Sequence, residues 1–421
     1  MDHYSVVVKD TAGLRAVPYS QAYAAEMTAI AGELDAAAAA ITSAGEAPFQ
    51  AYLRAAASSF RSNDWEPANE AWVKMSGSSS KWYLRIAPDE VYYEPCAWKA
   101  GFAVSFARIN PDSKMWQDKL APVKREMENA LAGLAGPPYK ARDVQFKLPD
   151  FIDMVLNAGD ARSPHGATIG QSLPNWGAVA DRGGRTVAMT NLYTDPDSRE
   201  TLKKQMASLF CGGTALRATT DAKASTMSTV LHEAAHNLGP SHDYAVGGKK
   251  DSVVFGGPLA STLEELKAQT GALYFSEWLV EKKLLTLEEA EEAHVRDVAW
   301  AFGHISRGMY EGDGKPKHYS QLAAIQLGTL WKAGALQWKA DGKAANATDQ
   351  GCFDIDFNKW KATVDALASR VLKVKARGDK KDAEEMKAAF VDGADEWGRL
   401  KGVITERWLR APKATFVYSV R

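Results

Sequence analysis

Apolar residues recur at helical spacing through most of the chain, and only the middle alternates in the manner of strands. Over the first eighty residues the pattern predicts helices. Residues 36–40 are all alanine, the strongest helix former, and residues 51–75 carry an apolar stripe with few breakers. Ser76-Gly77-Ser78-Ser79-Ser80 reads as a flexible joint. Beyond it the pattern predicts a short strand over residues 82–86, a helix over 97–109, and a second helix over 112–134 stopped by Gly136-Pro137-Pro138. Residues 144–148 and 185–192 alternate as strands do, among loops rich in Gly, Pro and Asn. From Ser225 to the end the chain reads as mostly helical. Thr286 and Glu289 have the spacing of a capping box, residues 357–377 carry an apolar stripe, and the charge run 379–387 reads as a solvated helix face.

These elements predict a mainly α protein with a small mixed β-sheet, an α+β fold in two lobes. The expected regions are helical 1–80, mixed α/β 81–220 and helical 221–421. The sheet is expected to form one wall of a cleft, with helices of the last region opposite.

Composition narrows the function. Over 421 residues, 51 basic residues balance 52 acidic ones, for a net charge of -1. That balance argues against nucleic acid and against a charged membrane surface as partner. No apolar stretch approaches the roughly 20 residues of a bilayer span, and the N-terminus lacks the pattern of a secretory signal. Cys96, Cys211 and Cys352 are odd in number and widely spaced. They read as buried thiols in a reducing, cytoplasmic setting rather than as a disulfide framework.

The chemistry concentrates at Thr229-Val230-Leu231-His232-Glu233-Ala234-Ala235-His236-Asn237-Leu238-Gly239-Pro240. Ser225, Thr226 or Ser228 can cap a helix there, and Gly239-Pro240 ends it. Residues i and i+4 share a helix face, so His232 and His236 point at one spot and can both reach one zinc ion. Glu233, beside the first histidine, is placed to take a proton from an activated water. A catalytic zinc needs a third protein ligand. In Ser261-Thr262-Leu263-Glu264-Glu265-Leu266-Lys267-Ala268-Gln269, Ser261 and Glu264 have capping-box spacing. That leaves Glu265 free as ligand, with Gln269 one turn on to hold a ligand histidine through its side-chain oxygen. His242 and Glu264 are the rivals. His242 lies six residues after His236, in the spacing of a three-histidine motif.

Several segments together resemble dipeptidyl peptidase III and its shorter bacterial relatives, a family of zinc metallopeptidases. His232 through Pro240 is similar to the family's zinc helix and its Gly-Pro exit. Leu263 through Ala268 is similar to its Glu-Glu-x-x-Ala segment, whose second Glu binds zinc, so the resemblance favours Glu265 over His242. Ser172-Leu173-Pro174-Asn175, followed by residues 186–191, is similar to the family's substrate-binding Asn-Leu-Pro-Asn stretch and the strand after it. Tyr92-Tyr93-Glu94-Pro95 resembles a Tyr-Arg-Asp-Pro segment whose tyrosine supports an oxyanion, which points to Tyr92. His318-Tyr319 stands where the family carries an active-site histidine, and the best spacing puts Tyr319 in that place. The likeness covers roughly residues 83–334.

The departures are specific. The full-length family inserts one residue between the zinc histidines, Gln269 replaces an acidic residue, and Ser172 replaces the first Asn. The chain is also much shorter. What the resemblance implies is a hydrolase with one Zn2+ per chain, held by His232, His236 and Glu265. Glu233 would be the general base, with Tyr92, His318 and Tyr319 assisting, Asn175 and Ser172 binding substrate, and short peptides as substrates. A zinc hydrolase redirected to a non-peptide amide or ester and a catalytically silent binding protein of the same fold are the alternatives.

Overall fold

The computed structural model describes residues 2–91, 94, 98–146, 148–159 and 170–412. The chain divides into two compact units that are each discontinuous in sequence. One is drawn from Met1–Gln117 and Pro149–Leu192, the other from Asp118–Leu148 and Tyr193–Thr415. Mainly α with a small mixed sheet is the observed class.

The first unit is built on a five-stranded sheet. In spatial order its strands are Trp82–Glu90, Ala100–Ile109, Asp150–Gly159, Arg185–Met189 and Gly170–Leu173. All neighbours are antiparallel except the pair Asp150–Gly159 and Arg185–Met189, which runs parallel. The helices Ala24–Ala40, Ala47–Ser62 and Glu66–Val73 share one core with it, through Tyr52, Phe60 and Trp72 from the helices and Tyr83, Ile152 and Val187 from the strands. Two buried arginines are held in that core by carboxylates. Arg85 Nε donates to Asp89 at 2.9 Å and Arg185 to Asp150 at 2.7 Å, and both guanidinium groups lie over the Trp72 ring.

Three expectations fail in this unit. The chain opens on a hairpin, Ser5–Asp10 with Gly13–Pro18, ahead of the helices. The helix expected over 97–109 is not found among the described residues of that stretch, 98–109, for Ala100–Ile109 is a strand. It lies between two neighbours, with Ala103, Ser105 and Ala107 buried and Phe102, Val104 and Phe106 half-buried. An inner strand covered on both faces loses the polar alternation that marks strands in a sequence. The serine-rich joint is a hydrogen-bonded turn, with Ser76 N–H donating to Ser79 Oγ at 2.9 Å.

The second unit is helical around one large core. Residues 144–146 and 148 are irregular rather than a strand, and a hairpin, Leu336–Lys343 with Gln350–Ile355, interrupts the helices. The strand expected to reach residue 192 stops at Met189 in the first unit. The capping box at Thr286 and Glu289 is present. Helix Lys380–Phe390 is solvated on its charged side and buries Ala383 and Met386. Among the described residues no helix is long and apolar enough to cross a membrane.

Cys211 and Cys352 form a disulfide, contrary to the expectation of three thiols. They are 141 residues apart in sequence, which hides the pairing. The backbone around them brings them together, because Cys211 N–H donates to the Phe353 carbonyl at 2.8 Å. The inference of a reducing compartment loses this support. Denatured without reductant, the protein is expected to titrate one thiol, and three after reduction. Three before reduction would show that the bond does not form. By loop-closure entropy a span of this length contributes about 5 kcal/mol.

Candidate metal centre

Helix Ala222–Asn237 carries His232, Glu233 and His236. It starts one turn before the expected serine and threonine caps, because Asp221 caps it by accepting from Lys223 N at 2.8 Å. Its exit is clamped. Glu128, fully buried, accepts from Gly239 N at 2.7 Å, Tyr139 Oη at 2.6 Å and Arg142 N at 3.1 Å. Lys267 donates to the His236 and Leu238 carbonyls at 3.3 and 3.1 Å. These bonds satisfy orphan groups at the helix end and so hold His236 in place.

The partner helix, Gly257–Glu281, begins before the proposed capping box. Ser261 lies inside it and donates to the Gly257 carbonyl. Glu264 is therefore no cap, and accepts from His236 Nδ1 at 2.8 Å. Gly271 lets the two helices approach, for a Cβ there would stand 2.6 Å from Ala235 Cβ. Gly271→Ala is expected to cost about 1–3 kcal/mol by overpacking and to weaken metal uptake as Glu265 shifts away. Thermal melting with a zinc titration measures both, and an unchanged variant would show that the close approach carries no weight.

His232, His236 and Glu265 converge, with a ligand atom from each within 4.8 Å of the others. The two Nε2 atoms are 3.1 Å apart, and Glu265 Oε2 lies 3.2 and 3.5 Å from them. That oxygen is buried, at angles that make no hydrogen bond. Each Nδ1 faces a side-chain oxygen, Gln269 Oε1 at 2.9 Å for His232 and Glu264 Oε1 for His236. With both Nδ1 atoms donating, two imidazole lone pairs and a carboxylate are left aimed at one point. Such a donor set fits a divalent cation, and a two-nitrogen, one-oxygen set suits zinc.

In the metal-free protein a proton answers the same demand. Burial opposes an imidazolium at His236, but the hydrogen bond to Glu264 and the nearness of Glu265 outweigh it and lift the group to about 9. Burial likewise opposes a charged Glu265, and the two imidazoles hold it far below the usual carboxylate range. Glu264 is lowered in spite of burial because Lys267 and Lys375 pair with it, at 3.0 and 2.9 Å.

The other expected residues are distributed as follows. Glu233 is half-buried and, with Glu265, raises the Tyr319 hydroxyl, already raised chiefly by burial, above its ordinary range. Tyr319 is thus within electrostatic reach of both carboxylates, and its ring stacks 6.4 Å from that of His232. His318 turns to Thr262, 3.0 Å from Nδ1 to Oγ1. His242 is apart from the group, 68% exposed beside Asp243. In the other unit, Asn175 Oδ1 accepts from Glu90 N at 3.0 Å, and Ser172 Oγ is 2.8 Å from Thr186 Oγ1. Tyr92 lies outside the described residues.

Two further neighbours of the centre carry no functional signal in the sequence, where His304 reads as a structural histidine and Asp297 as an ordinary helix residue. His304 packs its ring 4.3 Å from Trp300 and 5.3 Å from Tyr319, and burial, with help from Arg307 and His232, lowers it to about 3. It is a neutral group beside the centre at ordinary pH. Asp297 contacts Gln269. Neither lies in a motif, and only the packing of helix Leu287–Ile305 brings them near.

No family model matches the chain. A curated protein of Arabidopsis thaliana named Nudix hydrolase 3 is 26% identical over 391 residues, covering 88% of this chain. The chain spans just under half of that relative, 45% of its length. A solved structure of dipeptidyl peptidase III from Caldithrix abyssi superposes with a TM-score of 0.80 at 22% identity, over 98% of this chain and 74% of that one. One of dipeptidyl-peptidase III from Corallococcus sp. strain EGB gives 0.65 at 23%, over 98% and 72%.

Proposed function

We propose, from the premise that this chain has the dipeptidyl peptidase III fold, that it is a zinc-dependent metallopeptidase of short peptides. The observation that carries the reading is the convergence of His232, His236 and Glu265 on a point where nothing but a cation or a proton satisfies all three. The name of the curated relative belongs to a protein more than twice the length of the matched stretch and is not carried over.

One zinc ion held by these three residues would supply Lewis acidity, activating water and polarising the scissile carbonyl. The chain's own residues do the rest. Glu233, next to the first ligand on the same helix, accepts the proton of the attacking water and returns it to the leaving amine. Tyr319, protonated across the working pH range and stacked beside the His232 ring, donates to the developing oxyanion. Asn175 and Ser172 are the proposed substrate contacts, and Tyr92 and His318 the proposed assistants.

A panel of short fluorogenic peptides, assayed with chelator and after zinc is restored, tests this. Cleavage that vanishes with chelator and returns with zinc is expected. Stoichiometric zinc without turnover of any peptide would overturn the peptidase reading and favour an amide or ester metabolite as substrate, or a catalytically silent binding protein of the same fold. Gln269, in place of an acidic residue behind His232, is the feature that speaks for that second reading.

A further inference from the structure

We infer that Asp297 is the carboxylate that orients His232 for metal binding, acting at one remove through the side-chain amide of Gln269. The inference rests on the metal-centre reading above. A metal-binding histidine commonly donates its free N–H to a carboxylate or carbonyl, which sets the tautomer. Behind His232 stands an amide, and an amide is ambiguous because it can present either oxygen or nitrogen. With the oxygen toward His232, Nδ1 carries the proton and the Nε2 lone pair is free. With the nitrogen toward it, Nδ1 must accept, Nε2 carries the proton, and His232 cannot be a ligand.

Asp297 resolves the ambiguity. It projects from helix Leu287–Ile305, is 2% exposed, and its Oδ1 accepts from Gln269 Nε2 at 3.3 Å. Burial raises the Asp297 carboxyl to about 6, which still leaves it ionised at neutral pH, and an ionised carboxylate offers no donor, so the amide nitrogen faces Asp297 and the oxygen faces His232. Ser228, one turn before His232 on the same helix, donates to the same Oδ1 and holds the carboxylate in register with the imidazole. The second oxygen, Oδ2, is buried without a hydrogen bond. Nearby Arg296 spends its Nε on Ser225 at 2.9 Å. The acidic partner absent at position 269 is thus present one side chain further out, and Asp297 is a positioning residue.

Zinc affinity of the full chain, measured by competition with a chromophoric chelator, tests this. Asp297→Leu removes the acceptor while keeping the branched side-chain skeleton and is expected to weaken zinc binding roughly 10–100-fold. Q269E in place of the amide should restore binding only when position 297 no longer repels it. Q269E alone faces two carboxylates together and is expected to bind more weakly than wild type, whereas Q269E/D297N binds at least as tightly. The isosteric set of D297N, Q269E and the double variant decides the matter if D297L does not fold. Additive effects at the two positions, or a folded D297L with wild-type affinity, would overturn the inference and leave Asp297 as a tie to Ser228 alone. A wild-type chain that takes up no zinc overturns the metal centre itself, and this inference with it.

Discussion

Glu233→Gln is expected to lower peptide turnover by about 10²–10⁴ while leaving zinc uptake unchanged. The expectation follows from where Glu233 stands. It shares the helix of His232 and His236 but is absent from the group of converging ligand atoms. Its electrostatic partner is the Tyr319 hydroxyl on helix His318–Lys332. Glutamine keeps the volume and loses the base, so the water is no longer deprotonated as it attacks. If Glu233 acted only through folding, the melting temperature would move with the rate. If it held substrate, KM would rise and kcat would hold. The discriminating result is a fall confined to kcat, with zinc stoichiometry and melting temperature at wild-type values. A variant that turns over peptide at an undiminished rate would remove Glu233 from the chemistry.

The parts of this centre differed in how far the sequence disclosed them, and the reason is the range of the interactions involved. His232 and His236 are four residues apart, and helix geometry alone brings them to one face. Glu265 depended on which residues around it were otherwise engaged. Capping-box spacing assigns Glu264 to a cap with Ser261 and leaves Glu265 free, yet the helix begins at Gly257 and Glu264 serves His236 instead. The helix-start signals misled because Ser and Glu at capping-box spacing also occur inside a helix, where Ser261 simply donates back to the carbonyl of Gly257. It was the family resemblance that favoured Glu265 over His242.

Sheet and disulfide were harder, for a common reason. Strand Ala100–Ile109 lies between two neighbours and shows no polar face, so its period does not separate it from a buried helix. Strand Asp150–Gly159 is paired with residues 43 to 56 positions before it, as in Ile109 with Ile152 and Ala103 with Gly159, and 37 positions after it, as in Asp150 with Val187. Cys211 and Cys352 meet because the segment ending at Phe210 runs beside the hairpin strand Gln350–Ile355. None of these pairings leaves a local trace. Nor does Asp297, whose neighbours Ser228 and Gln269 come from two other helices. Local order was legible, and what depends on helices and strands meeting was not.

The sharpest test of that meeting is at Glu265. Glu265→Ala is expected to lose stoichiometric zinc, whereas His242→Ala keeps it. With the carboxylate gone, two imidazoles remain at the converging point, short of the three protein ligands of a catalytic zinc site. Glu264 cannot substitute, being held by Lys267 and Lys375 as well as His236. His242 sits in solvent against Asp243 and is no part of the group. The loss should be visible in stability too, because a ligand that binds only the folded chain stabilises it by about 4 kcal/mol at a thousandfold excess over Kd. Wild type and His242→Ala are expected to melt higher with zinc than with chelator, and Glu265→Ala at one temperature in both. The metal-free variant also removes the buried negative charge that helps hold a proton on His236, so that group's titration should fall from about 9 toward its ordinary range. Because the folded value is the raised one, the stability this proton contributes in the wild-type apoprotein is full below the ordinary histidine range and fades as pH climbs through about 9. In Glu265→Ala that fading is expected at lower pH. Retained zinc in Glu265→Ala with zinc lost in His242→Ala would move the third ligand to His242 and require the loop bearing it to close over the histidine helix.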